Sequence, residues 1–271
     1  MTFNILCSFC DNSYAPWDTR LQWFEDIFER HQPALVGVQE VALPVEAQEL
    51  VERLSIATST QHDFRFFGQD ASLNWPDSLV IWDTARFEPV EHGFFWLSPT
   101  PDEEFSTGFA DGVQLPRVVA WVTLTELVSE VEYLFATTHF DNNVPSQELS
   151  SPLLLERVNE LAAGRPVIVT GDFNSQTWDP AFTTLTEGTG FRLADTQPLA
   201  DRWSIETNLH PVPDFELAGR IDYIFLDRPR TTANEWAVSD WKVDMHGYGD
   251  AAELPSDHFA MSSTVQLLAY D

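Results

Sequence analysis

Hydrophobic and polar positions along the chain fall into two rhythms. β-Branched and aromatic runs predict strands at Thr2–Leu6, Ala34–Glu40, Asp63–Phe67, Ser78–Trp82, Phe87–Trp96, Arg117–Leu127, Val131–Phe140, Pro166–Asp172, Arg220–Leu226, Glu235–Val243 and Ala260–Leu268. Amphipathic segments at Thr19–His31, Pro44–Ser55 and Gln147–Ala163 predict helices, with Asp179–Glu187 a short fourth. Thr19 is placed to cap the first helix and Pro33 to stop it; Ser146 begins the third and Gly164 follows it as a C-terminal glycine. Strands are numerous and helices intervene without strict alternation, which predicts an α/β protein with two packed sheets and helices outside rather than a doubly wound parallel sheet. Thr100–Leu115 and Trp203–Leu217, rich in Pro, Gly and acids, read as surface connections beside a cleft, so residues 1–271 form one domain.

Composition changes this picture in three ways. No apolar run reaches the roughly 18 residues a membrane span needs, and no basic stretch precedes the first strand, which predicts a cytoplasmic protein without a signal peptide or span. The two cysteines, Cys7 and Cys10, cannot build a disulfide framework; their C-x-x-C spacing reads either as two free thiols in a reducing compartment or as a redox pair. The 43 acidic residues against 14 basic ones give a net charge of −29, with Lys242 the only lysine. Such a surface repels polyanions and argues against a tight, sequence-blind DNA binder; a high-salt host would explain it, because a Debye length of about 3 Å at 1 M screens the repulsion.

Candidate chemistry gathers at strand ends. Glu40 closes Leu35–Gln39 and is either the start of a solvated loop or a carboxylate offered to a hard cation. Asn4 lies between Phe3 and Ile5, satisfied by backbone or turned to a ligand; His139 closes the apolar strand from Val131 as an interior histidine or a site imidazole, with Asp141 just beyond. In Gly171–Asn174 the spacing of Asp172 and Asn174 sends both side chains to one side if the segment is extended, although an Asx turn fits the same letters. Asp222, buried in Arg220–Phe225, needs a partner, and His258 beside Asp257 is a natural one, since an Asp–His pair fixes the tautomer and raises the basicity of the ring.

With Asn4, Glu40, His139, Asp172, Asn174, Asp222, Asp257 and His258 in this order, the chain resembles the endonuclease/exonuclease/phosphatase superfamily, the DNase I-like proteins, from Thr2 to about Leu268. Phe94–Ser98 and Leu115–Trp121 are similar to a single-domain prokaryotic subgroup. The resemblance implies a four-layer α/β sandwich, two facing mixed sheets flanked by helices, with the site where both sheets deliver strand ends. It implies a phosphodiester hydrolase using Mg²⁺ or Mn²⁺ on nucleic acid or a nucleotide-like ester, with phosphomonoester or phospholipase-like hydrolysis as the alternative and a non-catalytic metal-binding module as another. Glu40 and Asp257 would hold the metal with Asn4 close by. Asp172 would orient or deprotonate water, Asn174 and His139 would bind phosphate, and Asp222 would orient His258.

Two departures narrow the expectation. A T-H-L-D-H pattern is replaced by Thr138–Asn142, where Asn142 donates to phosphate but carries no charge, and Arg220–Tyr223 stands where inositol-phosphate phosphatases have W-x-D-R, which makes that branch improbable. Arg117 is a second substrate-contact candidate or the partner of a surface acid, and Trp75, Trp96 and Trp178 are candidates for base stacking, with core packing the stronger reading for Trp96.

Overall fold

The computed structural model describes residues 1–66, 77–109, 115–228 and 234–269. Two mixed sheets face each other. In the first, strands run in the order β10 (Ala200–Glu206), β12 (Asn234–Asp244), β13 (Ala260–Ala269), β1 (Thr2–Asn4), β2 (Leu35–Val41), β4 (Asp77–Asp83) and β3 (His62–Phe66). In the second the order is β5 (Phe87–Trp96), β6 (Val118–Glu126), β7 (Glu132–His139), β8 (Val167–Asp172), β11 (Asp222–Asp227) and β9 (Leu193–Asp195). Helices α1 (Trp17–His31) and α2 (Pro44–Thr58) cover the first sheet; α3 (Val144–Ala162) and α4 (Pro180–Thr186) cover the second. A one-turn α5 (Thr196–Leu199) joins β9 to β10.

Three apolar layers follow from this stacking. Leu21, Phe24, Ile27 and Phe28 form one stripe of α1 and pack on Phe3, Ile5, Val36 and Val38. Leu154, Leu155, Val158 and Ala162 do the same for α3 against Val119, Leu134, Val167 and Val169. Between the sheets lie Val80, Trp82, Val122, Phe135, Ile168, Ile224 and Val238, each such aliphatic or aromatic side chain contributing about 1.5–3 kcal/mol by its burial. The sheets approach closely at Gly37, where an added Cβ would stand 2.0 Å from Thr170 Oγ1 and 2.5 Å from Thr137 Oγ1. One residue pair further along, Gln39 Nε2 donates to Thr137 Oγ1 at 2.8 Å, a polar tie between sheets.

Several local expectations are corrected. α1 begins at Trp17, two residues before Thr19, because the Thr19 and Arg20 amides already turn back to the Pro16 carbonyl. α3 begins at Val144, so Ser146 lies inside its first turn; its C-cap is Ala163 (φ 48°), and Gly164 (φ 91°) follows as the C-terminal glycine expected. Trp203–Glu206, assigned above to a loop, belongs to β10, a strand that among the described residues pairs only with β12, in parallel. Cys7 and Cys10 are not free thiols: the turn that returns Cys10 N to Cys7 O brings their Cα atoms to 5.2 Å, within disulfide reach, and they are bonded. Trp75 lies outside the described residues.

Candidate functional site

Topology carries the candidates to one edge of the sandwich. β1 and β2 run parallel, as do β7 and β8, so Asn4, Glu40, His139 and Asp172 all sit at or near C-terminal strand ends. β11 runs antiparallel to β8 with Asp222 opposite Asp172, and His139 is the parallel partner of Asp172 on the other side. Register alone therefore sets His139, Asp172 and Asp222 in a row across three strands of one sheet. The other sheet supplies the opposing wall, because β13 runs antiparallel to β1 and the loop before it carries Asp257 and His258 to the same edge.

Asp172 is the hub. Its Oδ1 accepts from the Asn174 amide at 2.9 Å; its Oδ2 accepts from Asn4 Nδ2 at 3.1 Å and stands 3.3 Å from His139 Nε2 and 3.6 Å from His258 Nε2. Asn4 is shared across the interface, since the same Nδ2 donates to Glu40 Oε1 at 3.0 Å while Asn4 Oδ1 accepts from the Leu6 amide. Gly171 allows this strand end: a Cβ there would lie 2.3 Å from the Thr138 carbonyl oxygen. His258 Nδ1 is 2.8 Å from Asp222 Oδ2; facing an acceptor-only carboxylate, Nδ1 carries the proton.

Electrostatics divides the two imidazoles. Burial, with repulsion from Arg117 and His258, holds His139 well below the ordinary histidine range, so it is neutral. Burial also opposes charge on His258, but attraction and a hydrogen bond from Asp222, with Asp172 and Asp257 added, outweigh it and push its pKa up to about 10. Burial and the neighbouring Asp222 charge raise Asp172 to about 7, against the opposing pull of His258. A carboxylate poised near neutrality beside a charged imidazole matches the needs of proton transfer to and from water.

Other candidates are placed differently. Asn174 is not extended: its φ is 48°, and its Nδ2 donates to the Phe140 carbonyl at 2.9 Å, so Asp172 and Asn174 are not presented side by side. Asp257 is exposed beside Ser256, whose buried Oγ bonds Asn4 O at 2.7 Å and receives the His258 amide. Arg117 Nε lies 3.8 Å from Asp141 Oδ2, Asn142 is exposed in the turn after β7, Trp96 is buried against Phe94 and Phe105, and Trp178 is exposed.

Sequence reasoning missed Arg20. From the apolar stripe of α1 its guanidinium donates to the carbonyls of Ile5 (2.6 Å), Leu6 (2.9 Å), Cys7 (3.4 Å), Ala15 (3.0 Å) and Pro255 (3.2 Å). It thereby ties the end of β1 to the loop that carries Asp257 and His258. The signal was an arginine in register with Leu21, Phe24 and Ile27, where a charge is buried only if paired.

The family profile described as Endonuclease/Exonuclease/phosphatase family matches residues 1–258. The chain belongs to the endonuclease/exonuclease/phosphatase family. Its structure is similar to that of an endonuclease/exonuclease/phosphatase from Bacteroides vulgatus (23% identity, TM-score 0.79, covering 98% of this chain and 97% of that one). It is also similar to a mannosyl-6-phosphatase of Bacteroides thetaiotaomicron (26%, 0.77, 98% of each). TDP2 of D. rerio, solved with a single-strand DNA product, shares the fold at 17% identity (0.69, 98% and 97%). No curated protein matches the chain. The family is generally hydrolytic and typically depends on a divalent metal. Among the described residues no helix is long and apolar enough to cross a membrane.

Proposed function

We propose that this family member is a phosphodiesterase dependent on Mg²⁺ or Mn²⁺, acting on nucleic acid or a nucleotide-like ester by in-line attack of water. The observation that carries the reading is the Asp222–His258–Asp172 relay, with 2.8 Å and 3.6 Å separations, joined through Asn4 to Glu40 across the two sheets.

Glu40 and Asp257 are the residues that would hold the cation. The donor set fits a hard ion: Glu40 is partly exposed, both of its oxygens are already oriented by Asn4 and the Cys7 amide, and the two carboxylates offer oxygens while the nearby sulfurs are joined in a disulfide. When bound, the cation would neutralise charge on the non-bridging phosphate oxygens. Asp172 takes a proton from the attacking water as the water oxygen bonds to phosphorus; the ester P–O bond breaks, and the leaving oxygen departs with the bonding pair and takes a proton from solvent. His258, charged and aimed by Asp222, meets the negative charge that grows on the phosphoryl oxygens. Neutral His139 and the partly exposed Asn174 line the phosphate position.

A second reading has its own support: similarity to a mannosyl-6-phosphatase over 98% of each chain favours a phosphomonoesterase on the same residues. One panel separates the two, pairing each cation with single- and double-stranded DNA, RNA, bis-p-nitrophenyl phosphate, mannose 6-phosphate and simple monoesters. Diester hydrolysis that EDTA abolishes is expected. Hydrolysis confined to monoesters would overturn the first reading in favour of the second, and no cation-dependent hydrolysis of any ester would overturn both.

A further inference from the structure

The C-x-x-C pair takes no part in the chemistry above, yet it sits on it. Ligand atoms of Cys7, Cys10 and Glu40 lie within 4.8 Å of one another, and the Cys7 amide donates to Glu40 Oε2 at 3.1 Å. We propose that the reduced chain binds zinc through Cys7, Cys10 and Glu40, and that this zinc competes with the hard cation for Glu40; the competition, though not the zinc site, rests on the function proposed above.

Three features support the site. Tetrahedral zinc with Zn–S near 2.3 Å sets its ligand atoms roughly 3.5–4 Å apart, so the present cluster needs only small side-chain shifts once the sulfurs are released from each other. Cys10 is exposed, giving a thiol reductant and a cation access, whereas Cys7 is buried with its carbonyl held by Arg20. The disulfide closes a loop with a sequence separation of 3, where the gain from loop closure is smallest, and the backbone here is independently fixed by Arg20 and Glu40, so reduction leaves the framework in place.

The chemistry balances with a dithiol reductant. Its thiolate attacks Sγ of Cys10 and releases the Cys7 thiolate; its second thiol resolves the mixed disulfide and the reductant departs as its own disulfide, two electrons and two protons having passed to the protein. Zinc then displaces the two thiol protons to solvent, with water in the fourth position. Thiolates select zinc over magnesium, so the two cations differ in which ligands they favour while sharing Glu40.

The test uses the full chain, oxidised and after dithiol reduction, with thiols counted under native conditions. Zinc is titrated against a chromophoric chelator, and cobalt substitution reads thiolate ligation as a near-ultraviolet charge-transfer band. Reduced chain should bind one zinc at least about 10²-fold more tightly than oxidised chain or Cys10→Ser, above most of the 10–100-fold range for losing a supporting partner. Equal zinc affinity in the oxidised chain, retention by Cys10→Ser, a cobalt complex without the band, or a disulfide that resists native reduction would each overturn the site. Competition is read by Mn²⁺ calorimetry on zinc-loaded and oxidised chain: a weakening of at least about 10-fold is expected, and unchanged Mn²⁺ affinity would overturn it whether or not hydrolysis is ever observed.

Discussion

Asp172→Asn should make the cation-free protein more stable at pH 8, a gain that vanishes by pH 5. Asp172 is almost wholly buried and its pKa rises from the ordinary 3.8 to about 7. A folded-state pKa above the unfolded one means that the folded chain binds more protons between these values, so stability is fully present below about 3.8, falls as pH climbs through the window and levels above about 7. At 1.36 kcal/mol per pKa unit, the ionised carboxylate costs about 4 kcal/mol at pH 8. The amide carries no such cost. It keeps an acceptor for the Asn174 amide but turns a donor toward Asn4 Nδ2 and the two imidazoles, a loss of about 1–2 kcal/mol.

The net expectation is therefore a gain of about 2 kcal/mol at pH 8, or roughly 4–8 °C in Tm for a chain of this size, and little difference at pH 5, where ionisation of the unfolded chain has already taken about 1.6 kcal/mol from the native protein, as much as the amide's lost contacts. Urea titrations with EDTA in constant KCl at both pH values measure it. The same variant should lose at least about 10²-fold in turnover. A stability difference that does not change with pH would show that Asp172 is ionised at no special cost, and the proton-transfer role drawn from its burial would fall with it.

Glu40→Gln should weaken Mg²⁺ and Mn²⁺ binding by at least about 10-fold in calorimetry with an unchanged unfolding midpoint; unaltered affinity would remove Glu40 from the metal site. His258→Ala should cut turnover on an activated diester by about 10²-fold or more, and Asp222→Asn by less, because it only mispositions the ring; wild-type rates for His258→Ala would sink the role given to it. Arg20→Met should lower kcat and Tm together by loosening the loop before β13, whereas a variant with full turnover would show that Pro255 needs no tether. Hydrolysis of a polynucleotide should rise with moderate KCl before phosphate competition reduces it, and a small diester should respond much less; a monotonic fall would mean that local positive charge near Arg117 overrides the −29 total.

The sheet core was legible because its strands are dense in β-branched and aromatic residues, and the ordered polar residues at their ends marked the edge at which the candidates gather. What escaped was polar or conformational. β10 carries Asp201, Arg202, Ser204 and Glu206 and buries none of its residues fully, so no alternation of buried and exposed residues announces it, and β9 is three residues long. Arg220, two residues before Asp222, is buried, ion-paired to Asp195 and stacked on Tyr223, a placement its charge does not announce. The left-handed turn of Asn174 is the Asx turn that the sequence offered as one reading, closed by Asp172, but its tie to the Phe140 carbonyl comes only from the β7–β8 pairing. Cys7 and Cys10 are joined by a turn, and spacing alone does not distinguish two thiols from one disulfide.

Charge decides what this edge can do unaided. Glu40, Asp172, Asp222 and Asp257 converge on it, while the nearby cations are committed: Arg20 spends its donors on backbone carbonyls and Arg117 lies beside Asp141. His258 is charged only because Asp222, Asp172 and Asp257 hold it so, which makes it a local dipole within an anionic surround rather than a surplus positive charge. A phosphodiester approaching this edge meets net repulsion on top of the field of the whole chain, and salt screens the distant part far better than the contact part. In the proposed reaction, a group that binds among the carboxylates and reverses their sign is what lets the phosphate sit within reach of Asp172 and His258. The acidity that makes this protein a poor general binder of polyanions thus makes its proposed chemistry conditional on a divalent cation at Glu40, and a ligand that draws Glu40 away would close the site without touching the relay.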